Sequence, residues 1–365
     1  MRRRSARTSL RRPLAAAAGA LLAGAALLVL VLACDRTASA ADGATLSPDE
    51  RDAILALGPW PPVAAPDARN PASGRPDGIA FGEALFHSPR LSPTGLRCAS
   101  CHEPWRHFAD GRAVAQGIAA GSRNTPSLLD VASHRRFGWD AARDDLGAQS
   151  LRPLDDVREM PATSAQLAAF VRGDTAMAAR YAQVFGGAPG QDDARIRRDV
   201  GLALAAYVET LRSPRTLFDD WHDHLAAGRE PAPSDAFPAA ARRGLRLFVG
   251  RAGCAACHSG PAFSDDAPHV SRVRSLASPG VPDDGRPGGP PNAFRTPGLR
   301  DVAATAPYFH DGSALRLCDA VRPHAADVGP EAAPLSAADR ADLVAFLRTL
   351  SFAAADSSTE TSCIP

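Results

Sequence analysis

The sequence predicts a mainly α-helical protein built as two similar domains with long loops. Three observations lead there. First, Cys98-Ala99-Ser100-Cys101-His102 recurs as Cys254-Ala255-Ala256-Cys257-His258. Second, each copy sits in the same local pattern. Gly82-Glu83-Ala84-Leu85-Phe86 precedes the first and Phe108-Ala109-Asp110 follows it; Gly244-Leu245-Arg246-Leu247-Phe248 and Phe263-Ser264-Asp265 flank the second. One supersecondary unit used twice reads as two domains. Third, 365 residues give room for two domains of ordinary size, and 32 prolines and 30 glycines against 6% aromatics favour short helices between long loops.

Two thiols three residues apart, followed at once by an imidazole, form the attachment signature of a c-type haem. Cys98 with Cys101, and Cys254 with Cys257, would bond the porphyrin, and His102 and His258 would be the proximal iron ligands. A four-cysteine zinc site would need the two pairs folded together and no histidine here. A redox dithiol would not be expected twice. The reading is therefore two cytochrome-c-like domains carrying two covalent haem c groups, with haem supplying part of each core.

In chain order, residues 1–34 read as a targeting leader: Arg2, Arg3, Arg4, Arg7, Arg11 and Arg12, then an apolar run from Leu14 to Ala33. Val31-Leu32-Ala33-Cys34 resembles a bacterial lipobox, so lipidation of Cys34 would tether the protein to a membrane. An uncleaved anchor helix and plain secretion are the alternatives. All three place the body outside the cytoplasm, in the periplasm, where haem attachment of this type also happens. Residues 35–75 read as a tether with one short helix near Pro48–Leu57.

The first domain spans 76–228. Within it Ile196, Val200, Leu204, Tyr207 and Leu211 form one apolar helical stripe. Arg229-Glu230-Pro231-Ala232-Pro233-Ser234 reads as a linker. The second domain spans 235–352. Ser278–Asn292, with five prolines and four glycines, must be an irregular loop. Ser336 with Asp339 reads as an N-cap pair opening a helix lined by Leu343, Leu347 and Leu350. The tail, 353–365, holds Cys363. Two spare thiols in an oxidising compartment point to one disulfide, Cys318–Cys363, with free thiols as the alternative. The net charge is +1 and no nucleic-acid footprint is visible.

Arg123-Asn124-Thr125-Pro126, Trp139-Asp140, Gln149, Pro153, Glu159-Met160 and Ala306-Pro307-Tyr308-Phe309-His310-Asp311-Gly312 occur in order around the two haem motifs. Over roughly residues 76–352 the chain resembles the bacterial dihaem cytochrome c peroxidase and MauG family. The resemblance implies that Glu159, Gln149 and Pro153 lie on the distal side of the first haem. Glu159 would shuttle a peroxide proton, Gln149 would hold the bound oxygen, and Pro153 would limit the space. Trp139 matches the tryptophan between the haems that relays electrons. Asn124, Thr305 and Pro307 match an interdomain calcium site of hard oxygen ligands, so one Ca2+ is expected. The chain departs from the family in Ala141-Ala142, where Gly-Arg is common after Trp-Asp.

In peroxidases of this family, a histidine on the loop after the first haem can block the open iron. Residues 103–138 hold only His107 and His134, neither in the glycine-flanked context of that ligand. An open first haem is expected, with His107 an exposed residue. The second haem uses methionine in the peroxidases and tyrosine in MauG. Here only Met1, Met160 and Met177 exist, and counting from the Pro307–Gly312 run through Leu317 and Ala320-Val321 places the ligand at His324. Histidine in place of methionine should lower the potential. The favoured function is MauG-like, peroxide-dependent oxidation of a partner protein through high-valent haems. The alternatives are a peroxidase reducing hydrogen peroxide with a small periplasmic donor, either a c-type cytochrome or a cupredoxin, and a non-enzymatic dihaem electron carrier.

Overall fold

A computed structural model describes residues 45–62, 65–229, 237–271, 285, 287–324 and 335–352. The leader with Cys34, the tail with Cys363, and most of the 229–234 and 278–292 stretches lie outside these residues. Among the described residues, no helix is long and apolar enough to cross a membrane.

The repeat seen in the sequence becomes a repeat in packing. Helix α2, Pro76–Phe86, opens with proline at its first turn, where the missing N–H costs nothing. It crosses α6, Asp193–Val208, at Gly82; a Cβ there would lie 1.9 Å from the carbonyl oxygen of Ala203. In the second half α8, Ala239–Val249, crosses α10, Ala337–Arg348, at Gly244, where a Cβ would lie 1.9 Å from the carbonyl oxygen of Asp342. Only a residue without a side chain permits either approach. The same aromatic contact seals each crossing: Phe86 to Tyr207 and Phe248 to Phe346, both 5.1 Å between ring centroids. The stripe Ile196, Val200, Leu204 and Tyr207 is buried as expected, and Leu211 is buried beyond the helix end. Ser336 and Asp339 form the anticipated capping box on α10.

Three helices complete the first half: α3, Leu146–Leu151; α4, Ser164–Gly173; and α5, Thr175–Phe185. Helix α9, Leu317–His324, belongs to the second half. A two-stranded antiparallel ribbon, Pro268–Val270 with Ala293–Arg295, follows the second motif. The fold is thus mainly α, and from Pro48 onward the two halves form one unit.

Two segments are more tightly packed than expected. Helix α1, Pro48–Leu55, is the short helix anticipated in 35–75, yet from Pro48 that region is not a loose tether. Ile54, Leu57, Trp60 and Ala72 are buried. Glu50 accepts from Arg246 Nε at 2.8 Å, and Arg51 Nη2 donates to the carbonyl of Leu225 at 2.7 Å. Helix α7, Leu217–Ala226, precedes the expected 228/235 boundary but packs on the second half. Phe218 lies 5.4 Å from Phe263 and 5.7 Å from Phe346, and Asp219 forms a buried two-pronged ion pair with Arg300. The Arg300 guanidinium also stacks 3.6 Å over the Trp60 ring. Trp60→Ala would remove that cover and leave a cavity. We expect a loss of about 3–5 kcal/mol, read from the midpoint of chemical denaturation.

Candidate functional site: a cavity joining two haem-attachment turns

Each motif folds as a single tight turn. Cys98–Ser100 and Cys254–Ala256 are 3-10 turns, closed by His102 N–H to the Cys98 carbonyl and His258 N–H to the Cys254 carbonyl, both at 2.9 Å. The turn gathers two sulfurs and an imidazole at one place. His102 Nδ1 then donates to the carbonyl of Phe108 at 3.0 Å, and His258 Nδ1 to that of Phe263 at 3.1 Å. A proton committed to Nδ1 leaves the Nε2 lone pair as the one an iron takes. Burial holds the His102 pKa below its ordinary value, so the ring is neutral, as a metal ligand must be.

The thiols fit attachment and not redox exchange. Burial pushes Cys98 up to about 12, Cys101 to about 11 and Cys254 to about 12, and raises Cys257. A disulfide-exchanging pair needs a depressed thiol pKa instead. Nor do the pairs gather as a zinc site. Among the described residues the one cluster of candidate ligand atoms joins Cys257 to Asp265 and His269, with no second cysteine.

Both turns border one cavity of about 850 Å³. It reaches from Cys98, Cys101 and His102 past Trp139 to Cys254, Cys257 and His258. Gln149, Pro153 and Glu159 line it on the first-half side. Gln149 stands on α3, whose first turn is capped by Asp145 accepting from Ala148 N–H at 2.7 Å. Its Oε1 is buried with no hydrogen-bond partner, an arrangement that a bound polar ligand would satisfy. Burial, with the nearby Asp156 carboxylate, raises the Glu159 pKa; Arg152 and Arg158 oppose that. The backbone of Glu159 is pinned by Ile118 N–H donating to its carbonyl at 3.0 Å.

Trp139 donates its indole N–H to the Asn124 carbonyl at 2.9 Å, and Arg295 N–H holds the Trp139 carbonyl at 2.8 Å. Its ring meets His310 edge-on at 6.5 Å, and His310 stacks on Phe294 at 3.8 Å. Asp140, next in sequence, takes hydrogen bonds from Arg123 and Arg152. Burial alone would raise its pKa, but these two guanidiniums bring it down to about 2. A depressed carboxylate stabilises the fold above its unfolded value of 3.8, and that contribution is lost as pH falls toward about 2. Asp140→Asn should therefore flatten the acid limb of a stability–pH curve measured by denaturant midpoints. Ala141 adopts a left-handed φ of 51°, the conformation for which glycine is the usual choice.

Asn124, Thr305 and Pro307 all border the cavity. The Asn124 side-chain amide donates to the Arg112 carbonyl at 2.7 Å. Cys318 is disulfide-bonded, and its partner lies outside the described residues. His107 is not the exposed residue expected from the sequence. It is half-buried and its Nδ1 lies 2.5 Å from Asp301 Oδ2. His134 is likewise committed, 2.7 Å from Asp266. His324 ends α9; its side chain lies outside the described residues.

The structure exposes an internal equivalence that the motif-by-motif reading missed. Thr125-Pro126-Ser127-Leu128-Leu129-Asp130-Val131-Ala132 parallels Thr296-Pro297-Gly298-Leu299-Arg300-Asp301-Val302-Ala303. Asp130 and Asp301 are both left-handed and both open a 3-10 turn. The bridge Phe137 to Arg143 matches Tyr308 to Ala314. At the same offset Trp139 corresponds to His310, Leu146 at the start of α3 to Leu317 at the start of α9, and Pro153 to His324. The sequence signal was present in the repeated Thr-Pro-x-Leu-x-Asp-Val-Ala.

A profile described as di-haem cytochrome c peroxidase matches residues 76–226. Over 294 residues, 75% of this chain and 78% of the relative, the chain is 37% identical to the methylamine utilization protein MauG of Methylorubrum extorquens. The chain belongs to the dihaem cytochrome c peroxidase and MauG family. It is also 31% identical over 253 residues to the cytochrome c551 peroxidase of Nitrosomonas europaea, covering 67% of this chain and 72% of that one. Its fold matches the crystal structure of a MauG-like protein associated with microbial copper homeostasis, with a TM-score of 0.66 at 27% identity, over 80% of this chain and 95% of that chain. Membership of this dihaem family makes the chain a haem-dependent peroxidase or oxidoreductase that acts on peroxide and carries two haems.

Proposed function

We propose that this family member is MauG-like: it uses hydrogen peroxide to withdraw electrons from a partner protein, through a first haem left open and a second closed by His324. The observation that carries this is the equivalence of Pro153 and His324. One repeat offers a side chain that cannot ligate, and the other offers an imidazole. In α9 the positions 317, 320 and 321 border the cavity, and the 3.6-residue period puts position 324 on that same face.

A haem held by Cys98, Cys101 and His102 would supply peroxide binding and electron transfer. Around it, Gln149 Oε1 would accept a hydrogen bond from bound peroxide, and the Glu159 carboxylate would take a proton from one oxygen and return it to the other. Pro153 closes the space that a protein ligand would need. Trp139, pinned at its indole nitrogen and its carbonyl, would relay electrons between the haem turns. His107 and His134 each spend Nδ1 on a carboxylate of the other half, which supports an unblocked first iron. Asn124 with the carbonyls of Thr305 and Pro307 would hold one Ca2+ through hard oxygens. We place the protein in the periplasm, tethered through lipidated Cys34.

The similarity to cytochrome c551 peroxidase supports a second reading, reduction of peroxide by a small electron donor. Electron paramagnetic resonance of the resting ferric protein tests the asymmetry: one high-spin iron and one bis-imidazole low-spin iron are expected. Two equivalent irons would overturn it. Rapid peroxide turnover with a reduced c-type cytochrome, without any modification of a periplasmic protein, would favour the second reading.

A further inference from the structure

The loop that follows the first haem motif contains a backbone arrangement that needs outside support. His107 and Phe108 are consecutive left-handed residues, with φ of 56° and 58°. Each such residue costs about 1–2 kcal/mol and persists only where its surroundings impose it. Phe108 is also the residue whose carbonyl accepts from His102 Nδ1. The acceptor on the proximal histidine therefore sits at the end of a strained turn.

Within the loop Phe108 N–H donates to the Glu103 carbonyl at 2.9 Å, and three contacts on His107 support the turn from outside. Ser127 Oγ donates to the His107 carbonyl at 2.6 Å. The His107 ring pairs with Asp301, a residue of the opposite half whose side chain is 1% exposed, and leans on Phe352 at 5.1 Å. Asp301 is costly to keep ionised: burial, reinforced by the Asp130 carboxylate, lifts its pKa to about 6, and His107 works against that. Asp130 is itself faced by Arg300 and Arg212 and accepts from Ser213 N–H. The second haem turn is braced differently, by Arg300 Nε donating to the Pro261 carbonyl at 2.6 Å. Phe263 is left-handed and its carbonyl serves His258, but the residue before it is Ala262.

We propose that His107 and Asp301 are positioning residues for the first haem: their side-chain contact holds the Phe108 carbonyl on His102 and so sets how strongly that imidazole would donate to its iron. A hydrogen bond on the far nitrogen makes a ligating imidazole more basic. Slackening it makes the ligand a poorer donor, which favours the ferrous state. The inference rests on the haem attachment at Cys98, Cys101 and His102, and not on the partner-protein reading or on His324.

The test uses the haem-loaded protein with His107→Asn and Asp301→Asn, separately and together. Asparagine tolerates the left-handed region, so the first substitution removes the imidazole–carboxylate contact and spares the backbone preference. The readouts are the reduction potential of each haem by spectroelectrochemistry and the iron–imidazole stretching frequency of the ferrous protein by resonance Raman. We expect the first-haem potential to rise and its stretching frequency to fall in both single variants. The double variant should go no further than the larger single one, because both break one interaction. Ser127→Ala should move both readouts the same way by less, and the second-haem potential serves as an unmoved reference. If His107→Asn fails to take up haem, Asp301→Asn and Ser127→Ala are judged by the same measurements. Unchanged first-haem signals with only a lower melting temperature would overturn the proposal, as would equal shifts at both haems.

Discussion

Glu159→Gln should slow the reaction with hydrogen peroxide by about 10²–10⁴-fold, the usual worth of a positioned acid–base group. Glutamine keeps the shape and the hydrogen-bonding capacity of the side chain but cannot take up and return a proton. The haem turns do not use Glu159, so both haems should stay attached and their absorption spectra unchanged. Stopped-flow mixing with peroxide provides the rate. The carboxyl must be ionised to accept the first proton, and burial raises its pKa above the ordinary glutamate value. In the unsubstituted enzyme the rate should therefore climb with pH across a limb set higher than a solvent carboxylate's, and the variant should lack that limb. Peroxide reactivity equal to that of the parent would remove Glu159 from the chemistry.

His324→Ala should abolish the low-spin signal of the second haem, leaving two high-spin irons in place of one. His324→Met, the ligand of the related peroxidases, should restore a low-spin iron at a raised potential. If His324→Ala leaves the low-spin spectrum intact, the sixth ligand is another residue and the correspondence with Pro153 has been read too far. Oxidation of a partner protein should weaken in the methionine variant, because a raised potential makes the oxidised pair harder to reach. The pair of substitutions thus separates ligation from reaction type.

The haem turns, the buried stripe of α6 and the N-cap of α10 were legible in the sequence because each rests on local chemistry: fixed motif spacing, a periodic apolar pattern, a serine three residues from an aspartate. That Gln149, Pro153 and Glu159 line one cavity with the haem turns was legible only through resemblance. Glutamine, proline and glutamate at such spacing have no chemistry of their own until the fold brings them to one cavity. What stayed hidden was non-local. Nothing in residues 35–75 announces that Trp60 will cover Arg300, and nothing near Leu217 announces that Phe218 will enter a core completed by Phe346. His107 read as exposed because it lies just past the haem motif; its partner Asp301 lies far along the chain.

The placement of α7 bears on how this enzyme can be dissected. A fragment stopping near residue 228 would carry Phe218 and Asp219 with no counterpart, while the remainder would keep Arg300 with neither its carboxylate nor its indole cover. Stranding one member of a buried ion pair costs about 3–5 kcal/mol, a large share of the stability of an ordinary domain. Single-haem halves made by cutting at the apparent linker should therefore be insoluble. A second-half piece beginning before Leu217 would keep this helix with its adopted neighbour and retain the Asp219–Arg300 pair.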